Sequence, residues 1–149
     1  DRDGRANNVQ INSEKLVQSD DPITSIPQPE YHAPVRAIRD RIIDRIDDDP
    51  GVVLFGSVAR GVADRASDID VFVIIDDERM DAQRKAHSIE DDIASERFDG
   101  DRYEAHIVVE TRDSAVTHDR IRDVLTEGIT IHDTPVLEDV KRQVFADGA

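Results

Sequence analysis

The chain has 149 residues and a formal charge of -15 at pH 7. This length accommodates one ordinary domain and a short appendage, so a second full domain is not expected. The charge excludes a general nucleic-acid binder, because affinity for the phosphate backbone depends on clustered Lys and Arg. The sequence contains no Cys, which excludes disulfides and thiolate metal sites, and no apolar run approaches the roughly 20 residues of a membrane span.

The acidic excess is mostly Asp, and the only lysines are Lys15, Lys85 and Lys141. This composition is typical of the high-salt cytoplasm of a halophilic archaeon, where screening over about 3 Å at 1 M salt makes dense like charge tolerable. An acidic protein from a low-salt cell is the alternative, and its thermal stability would not rise with added KCl. We expect a cytoplasmic protein, since no signal peptide is visible. Because the chain opens at Asp1 without a Met, we also expect it to be a piece of a longer polypeptide.

The first 30 residues differ in pattern from the rest of the chain. Apolar and polar residues alternate within 5–16, which predicts a short strand or hairpin arm. Residues 19–29 are punctuated by prolines, which predicts an extended linker and not a helix. We therefore place a boundary near residue 30, with an arm and linker over 1–30 and one domain over 31–149.

Helices and strands alternate after this boundary. Apolar residues at helical spacing predict helices, and short continuous apolar runs predict strands that are buried on both faces. The predicted elements are a helix over 34–47, strands over 52–55 and 71–75, a helix over 80–97, a strand over 103–110, a helix over 114–127, a strand over 129–132 and a helix over 135–145. This order predicts the α/β class, with helices flanking a mixed β-sheet of about four or five strands.

The turn after the first of these strands carries the first chemical signal. The strand ends at Gly56, where the missing Cβ lets the backbone turn sharply and approach a ligand closely. Ser57 then begins a short helix. Backbone N–H groups at such a corner form an anion-binding concavity, and the Ser57 hydroxyl adds a donor for a phosphate oxygen.

Two aspartates at the entry of the next strand carry the second signal. Asp68 and Asp70 project from one face, with Cα atoms about 6.5 Å apart, while Ile69 points into the core. Two carboxylates this close repel unless a cation lies between them, and Mg²⁺ prefers one or two carboxylates together with substrate phosphates. The pattern therefore predicts a site for a metal and a triphosphate. The alternative is a tight turn followed by two solvated acids, which are common in a chain so rich in Asp.

These residues resemble the signature of the DNA polymerase beta superfamily of nucleotidyltransferases: apolar-Gly-Ser, a spacer of about ten residues, then Asp-apolar-Asp-apolar. Arg60-Gly61 and Ser67-Asp68 resemble the minimal nucleotidyltransferases, and the resemblance covers residues 34–145. It implies a polymerase beta-like fold and transfer of NMP, AMP first, from a nucleoside triphosphate to an acceptor hydroxyl, with Mg²⁺ or Mn²⁺. It also implies that the nucleotide-binding residues are Gly56, Ser57, Arg60 and Ser67.

The family implies a third carboxylate from a neighbouring strand. By alternation Glu104 and His106 share one face of the strand over 103–110, and Glu104 is our choice for the third metal ligand beside Asp68 and Asp70. Family members usually present Asp there, and His106 is the competing residue, as an acceptor or proton relay that would weaken metal binding. The alternative for His106 is a partly buried strand residue with a backbone partner.

Arg60 has two readings as well. It lies one turn beyond Ser57, where its guanidinium would reach a triphosphate oxygen, or it forms an ion pair with Asp64 or Asp68.

The acceptor and the partners follow only from the resemblance. Minimal nucleotidyltransferases often work beside a helical partner protein, sometimes as toxin and antitoxin, which implies a protein hydroxyl as acceptor, with antibiotics or RNA ends as competitors. A second hypothesis is a catalytically weak nucleotide sensor, since residues 5–16 resemble the end of a winged-helix DNA-binding domain. Any DNA contact would then come only from residues upstream of the chain. A purely structural role is the third hypothesis.

Overall fold

The computed structural model describes residues 21–47 and 49–146, and its centre is a β-sheet. The strands of this part of the chain are β1 (Gly51–Phe55), β2 (Ile69–Ile75), β3 (Ala105–Thr111) and β4 (Ile129–His132). They lie in the order β3-β2-β1-β4. Strand β1 is antiparallel to both β2 and β4, while β2 and β3 run parallel. The predicted class, a mixed sheet of four strands flanked by helices, is confirmed.

The helices of the described residues cover both faces of this sheet. They are α1 (His32–Arg45), α2 (Gly56–Arg60), α3 (Arg79–Ser95), α4 (Arg112–Val116), α5 (Ile121–Glu127) and α6 (Pro135–Ala146). Three of the predicted helices, over 34–47, 80–97 and 135–145, and all four predicted strands agree with these bounds to within two residues. None of the helices in the described part of the chain is long and apolar enough to cross a membrane.

Alternation along the strands divides the core into two layers. On one face, which we call the α1/α3 face, Leu54 and Val71 pack with the apolar stripes of α1 and α3. On the opposite face, the α5/α6 face, Phe55 and Phe72 pack with α4, α5 and α6. Every residue of β1 is buried, and β2 is buried except at Asp70, as their continuous apolar runs predicted.

The single helix predicted over 114–127 is wrong. The chain forms α4, then a turn at 117–120, then α5. His118 interrupts the helix, because its ring packs edge-on against buried Phe72 at a centroid distance of 5.2 Å. The backbone N–H of Arg120 donates to His118 Nδ1 over 3.1 Å, so it is not available for a helical hydrogen bond. A helical repeat of apolar residues does not reveal such a contact.

The extended conformation predicted for residues 19–29 is also corrected where the chain is described. Two short 3₁₀ helices, Pro22–Ser25 and Pro29–Tyr31, each begin with proline, whose fixed φ suits the first turn. Ile23 and Ile26 are buried in the same core layer as α1 and α3. Residues 21–30 therefore pack with the domain that follows, while the boundary near residue 30 stays a prediction. The predicted arm over 5–16 lies outside the described residues.

Asp21 anchors this segment and provides a test of its packing. Its carboxylate accepts from the N–H of Ile23 and from Arg39, each over 3.1 Å, and these hydrogen bonds lower the pKa of Asp21. We expect Asp21→Ala to reduce the free energy of unfolding by about 1 kcal/mol, the usual cost of a lost N-cap side chain. Asp44→Ala removes an exposed acid of α1 that has no ion pair within the described residues, and it serves as the control.

The pH dependence of this effect has a defined sign. Because the pKa of Asp21 is lowered from its ordinary value of 3.8, its contribution is fully present above that pH and is lost as the pH falls below it. Thermal melts of both variants between neutral pH and pH 3 check this. An Asp21→Ala melting temperature equal to that of Asp44→Ala at neutral pH would show that the segment is not held by this carboxylate.

Candidate active site

The site forms where β1 ends and β2 begins. Phe55, the last residue of β1, pairs with Asp70 of β2, and Gly56 then turns the chain into α2 with a φ of 77°. A Cβ at position 56 would overlap Asp70 Oδ2 and lie 3.2 Å from its Cγ. The Asp70 carboxylate therefore rests against the backbone of Gly56, and only glycine allows both the turn and the contact.

Asp68 and Asp70 are brought together, with Ile69 buried between them as predicted. Asp68 is exposed, one residue before β2, while the Asp70 side chain is 27% exposed. Burial raises the pKa of Asp70, and the negative charge of Asp68 raises it further. A hydrogen bond and charge from His106, and the charge of Arg120, act in the opposite direction. The carboxyl of Asp70 is thus held in surroundings that disfavour its charged form unless a cation is near.

This donor set fits a divalent cation that is also bound by substrate. The part of the chain that the structure describes contains no group of three or more His, Asp or Glu side chains arranged to hold a metal ion. Asp68 is exposed and Asp70 is partly buried, and His106 and Arg120 offset only part of the effect of burial and of the Asp68 charge on Asp70. Mg²⁺ usually takes one or two carboxylates and completes its shell with phosphate oxygens and water. Asp68 and Asp70 match that pattern without a third protein ligand.

His106, and not Glu104, lies beside Asp70. Strands β2 and β3 pair Asp70 with His106, and His106 Nδ1 is 3.4 Å from Asp70 Oδ1. The imidazole is 62% exposed, so it is not the partly buried residue of the alternative reading. Glu104 precedes β3, which begins at residue 105 and not at 103, and its carbonyl accepts from the N–H of Ile69 over 2.8 Å.

Ser67 and Arg60, two further predicted nucleotide-binding residues, differ in their hydrogen-bond partners. The hydroxyl of Ser67 accepts from the N–H of Asp64 over 3.0 Å and lies 3.3 Å from Asp64 Oδ1, so it closes the turn before β2. Arg60 is exposed at the end of α2 and forms no ion pair with Asp64 or Asp68 within the described residues. Its guanidinium is therefore available to a ligand, and its predicted role stays a prediction.

A cleft of about 670 Å³ opens beside Asp68. Its rim includes the turn around Ser67 and the segment 101–104 with Glu104. Tyr31 and Tyr103 form one wall and pack edge-on at 5.3 Å between ring centroids. Their hydroxyls donate to the carbonyls of Asp64 and Glu30, each over 3.2 Å, so the wall is tied to both sides of the cleft. Tyr31 and Tyr103 are far apart in the chain, and no sequence motif links them.

Arg120 is a second residue near the site that the sequence motifs did not identify. Its guanidinium lies 5.8 Å from the ring centroid of Phe55, the residue before Gly56. The predicted helix over 114–127 placed Arg120 inside a continuous helix, where nothing distinguished it from the other exposed arginines. Only the turn at 117–120 brings it to the end of β1.

The comparison with family models agrees with this arrangement. Residues 35–131, about two thirds of the chain, match the model of the nucleotidyltransferase domain. The chain belongs to this family. The match spans the Gly56 corner, both aspartates and His106, and it confirms the polymerase beta-like resemblance. Neither the comparison with curated proteins nor the one with solved structures returned a match.

The contact between Gly56 and Asp70 makes a testable prediction for this nucleotidyltransferase domain. Gly56→Ala should cost about 1 kcal/mol for a side chain at positive φ, and at least about 1 kcal/mol more for the overlap with Asp70. Gly100→Ala is the matched control, because Gly100 has a φ of 88° and nothing within 4 Å of its added Cβ. Thermal or urea unfolding of the two variants measures the difference. Equal destabilisation of both would show that Asp70 does not rest on Gly56.

Proposed function

We propose that this domain transfers a nucleoside monophosphate, with AMP as the first candidate, from a nucleoside triphosphate to an acceptor hydroxyl. The observation that carries the proposal is the Asp70 carboxylate seated on Gly56, with Asp68 beside it and a short helix beginning at the same corner. Phosphates bind where backbone N–H groups converge. Carboxylates beside such a site repel the phosphates unless a cation lies between the two.

The residues of the corner take separate roles in this proposal. The Ser57 hydroxyl and neighbouring N–H groups bind phosphate oxygens, and Arg60 adds a charge-assisted hydrogen bond. Asp68 and Asp70 would hold Mg²⁺ or Mn²⁺, which when bound would neutralise negative charge on the phosphates. The two carboxylate oxygens of Asp70 have different neighbours, because Oδ1 faces His106 and Oδ2 faces Gly56.

His106 is positioned to receive a proton. The acceptor oxygen bonds to the α-phosphorus, the bond between that phosphorus and the bridging oxygen breaks, and pyrophosphate leaves with its electron pair. The proton of the acceptor hydroxyl must then go to a base. In the tautomer with hydrogen on Nδ1, Asp70 accepts that hydrogen and leaves the Nε2 lone pair of His106 exposed. Glu104, at the rim of the cleft, is the alternative base.

The acceptor that we propose is a hydroxyl on a partner protein, as the minimal nucleotidyltransferases suggest. The cleft beside Asp68, of about 670 Å³, has room for a nucleoside or for an acceptor side chain with its neighbours, and its volume does not select among acceptors. Antibiotics and RNA ends are the competing acceptors.

Replacement of Asp70 tests the proposed activity. We expect Asp70→Asn to lower nucleotidyl transfer by more than about 100-fold, since a group that stabilises charge at the reacting centre is typically worth 10²–10³ in rate. The measurement incubates the full chain with Mg²⁺, labelled ATP and lysate from its own cell, and then identifies what becomes labelled. Asp113→Asn removes the charge of an exposed acid on α4 and is the control. Normal labelling by Asp70→Asn would remove Asp70 from the site.

A second candidate function is nucleotide sensing without turnover. The observation that favours it is the exposed imidazole of His106 opposite Asp70, where the family usually presents a third carboxylate. The sensor would be fused to a winged-helix domain upstream of residue 1, and that domain would bind the DNA.

Nucleotide binding and turnover separate the two candidates. An enzyme is expected to release pyrophosphate from ATP with Mg²⁺ once its acceptor is present, whereas a sensor shows only a rise of the melting temperature with ATP and Mg²⁺. A rise of the melting temperature without pyrophosphate release in cognate lysate would favour the sensor. Absence of both effects would leave a structural role.

A further inference from the structure

We propose that Arg120 binds the phosphate groups of the nucleotide from the α5/α6 face of the sheet. The inference rests on the proposed nucleotide site and adds a residue that neither the motifs nor the family match assigns.

The position of the guanidinium is the first argument. It lies 5.8 Å from the ring centroid of Phe55, which is 8% exposed and directly precedes Gly56. Phe55 is paired with Asp70, and both side chains lie on the α5/α6 face. Helix α5, which follows Arg120, contacts α2, the short helix that begins at Gly56. The cation is therefore held at the corner where phosphate is expected to bind.

The second argument is that Arg120 has no carboxylate or carbonyl partner among the described residues. The chain carries 34 acidic residues and 19 Lys and Arg residues, and most arginines of the described residues contact a carboxylate or a backbone carbonyl. The guanidinium of Arg120 does neither within that part of the chain. It forms no ion pair with Asp70, whose partner among the described residues is His106. The N–H groups of Arg120 therefore have no carboxylate or carbonyl partner in the described part of the chain and are open to an anion supplied by a ligand.

The position of Arg120 over the Phe55 ring, 5.8 Å from its centroid, is compatible with binding of a ligand at the same time. The π-face of the ring attracts the cation, and the planar guanidinium keeps N–H groups that need no partner from the ring. Those groups form the fork that matches two oxygens of a phosphate. Arg60 and Arg120, on α2 and at the start of α5, would then bind the polyphosphate from two helices.

Arg122, on α5 two positions after Arg120, provides a matched control. Its guanidinium also lies 5.8 Å from a phenylalanine ring, that of Phe145, and it donates to the carbonyl of Val144 over 2.9 Å. Arg122→Gln therefore removes the same charge and the same type of ring contact away from the corner. Arg120→Lys keeps the charge but removes the paired N–H groups of the guanidinium that match two phosphate oxygens.

The experiment measures the affinity of the full chain and its variants for ATP and for pyrophosphate, each with Mg²⁺, by calorimetric titration. Arg120→Gln is expected to weaken both ligands about tenfold or more, the order for one lost hydrogen bond to a charged group. Arg120→Lys should recover part of the loss. Arg122→Gln should bind both ligands as the unchanged protein does, and melting temperatures report whether any variant is misfolded.

The possible outcomes separate this inference from the function on which it rests. If the unchanged protein binds both ligands and Arg120→Gln binds them equally well, the inference is wrong and the proposed function stands. A loss of affinity shared by Arg122→Gln would also contradict it, since the effect would then follow net charge alone. If the unchanged protein binds neither ligand, the proposed function and the inference fail together.

Discussion

The contact of the Asp70 carboxylate with the backbone of Gly56 is the constraint on which the rest of the site depends. It requires β1 to end at a residue without a Cβ, and it requires the antiparallel register that pairs Phe55 with Asp70. A slip of one residue would move Asp70 to the core and bring Ile69 to the surface. Burying the Asp70 carboxylate without a partner and exposing Ile69 would both cost free energy, and this cost disfavours the slip. The register that packs the core therefore also sets the position of the Asp70 carboxylate.

The two faces of the sheet contribute unequally to function. The α1/α3 face is covered by the two longest helices and by the 3₁₀ segment after Asp21, and the cleft walled by Tyr31 and Tyr103 opens at its edge. The α5/α6 face is covered by shorter helices, and the chain turns at 117–120 between two of them. Asp70 and His106 emerge there, and Arg120 lies over Phe55. A site needs polar groups that water and substrate can reach, and here those groups lie near the ends of the strands and not beneath the long helices.

Local signals in the sequence were sufficient for the strand cores and for the Gly56–Ser57 corner, because both depend on residues close together in the chain. The choice between Glu104 and His106 was not, because both share one face of the strand predicted over 103–110, and only the pairing of β2 with β3 shows that His106 lies beside Asp70. The break between α4 and α5 depends on the contact of His118 with Phe72, which are 46 positions apart in the numbering. Arg120 was missed for the same reason. The high-salt origin and the cytoplasmic location remain predictions from composition.

The most direct test is a crystal structure of the full chain with Mn²⁺ and a non-hydrolysable ATP analogue, using anomalous scattering to locate the metal. The account predicts a Mn²⁺ peak in contact with carboxylate oxygens of both Asp68 and Asp70, with the phosphates of the analogue resting on Gly56 and Ser57. A nucleotide bound elsewhere, or a metal that does not touch Asp70, would contradict it.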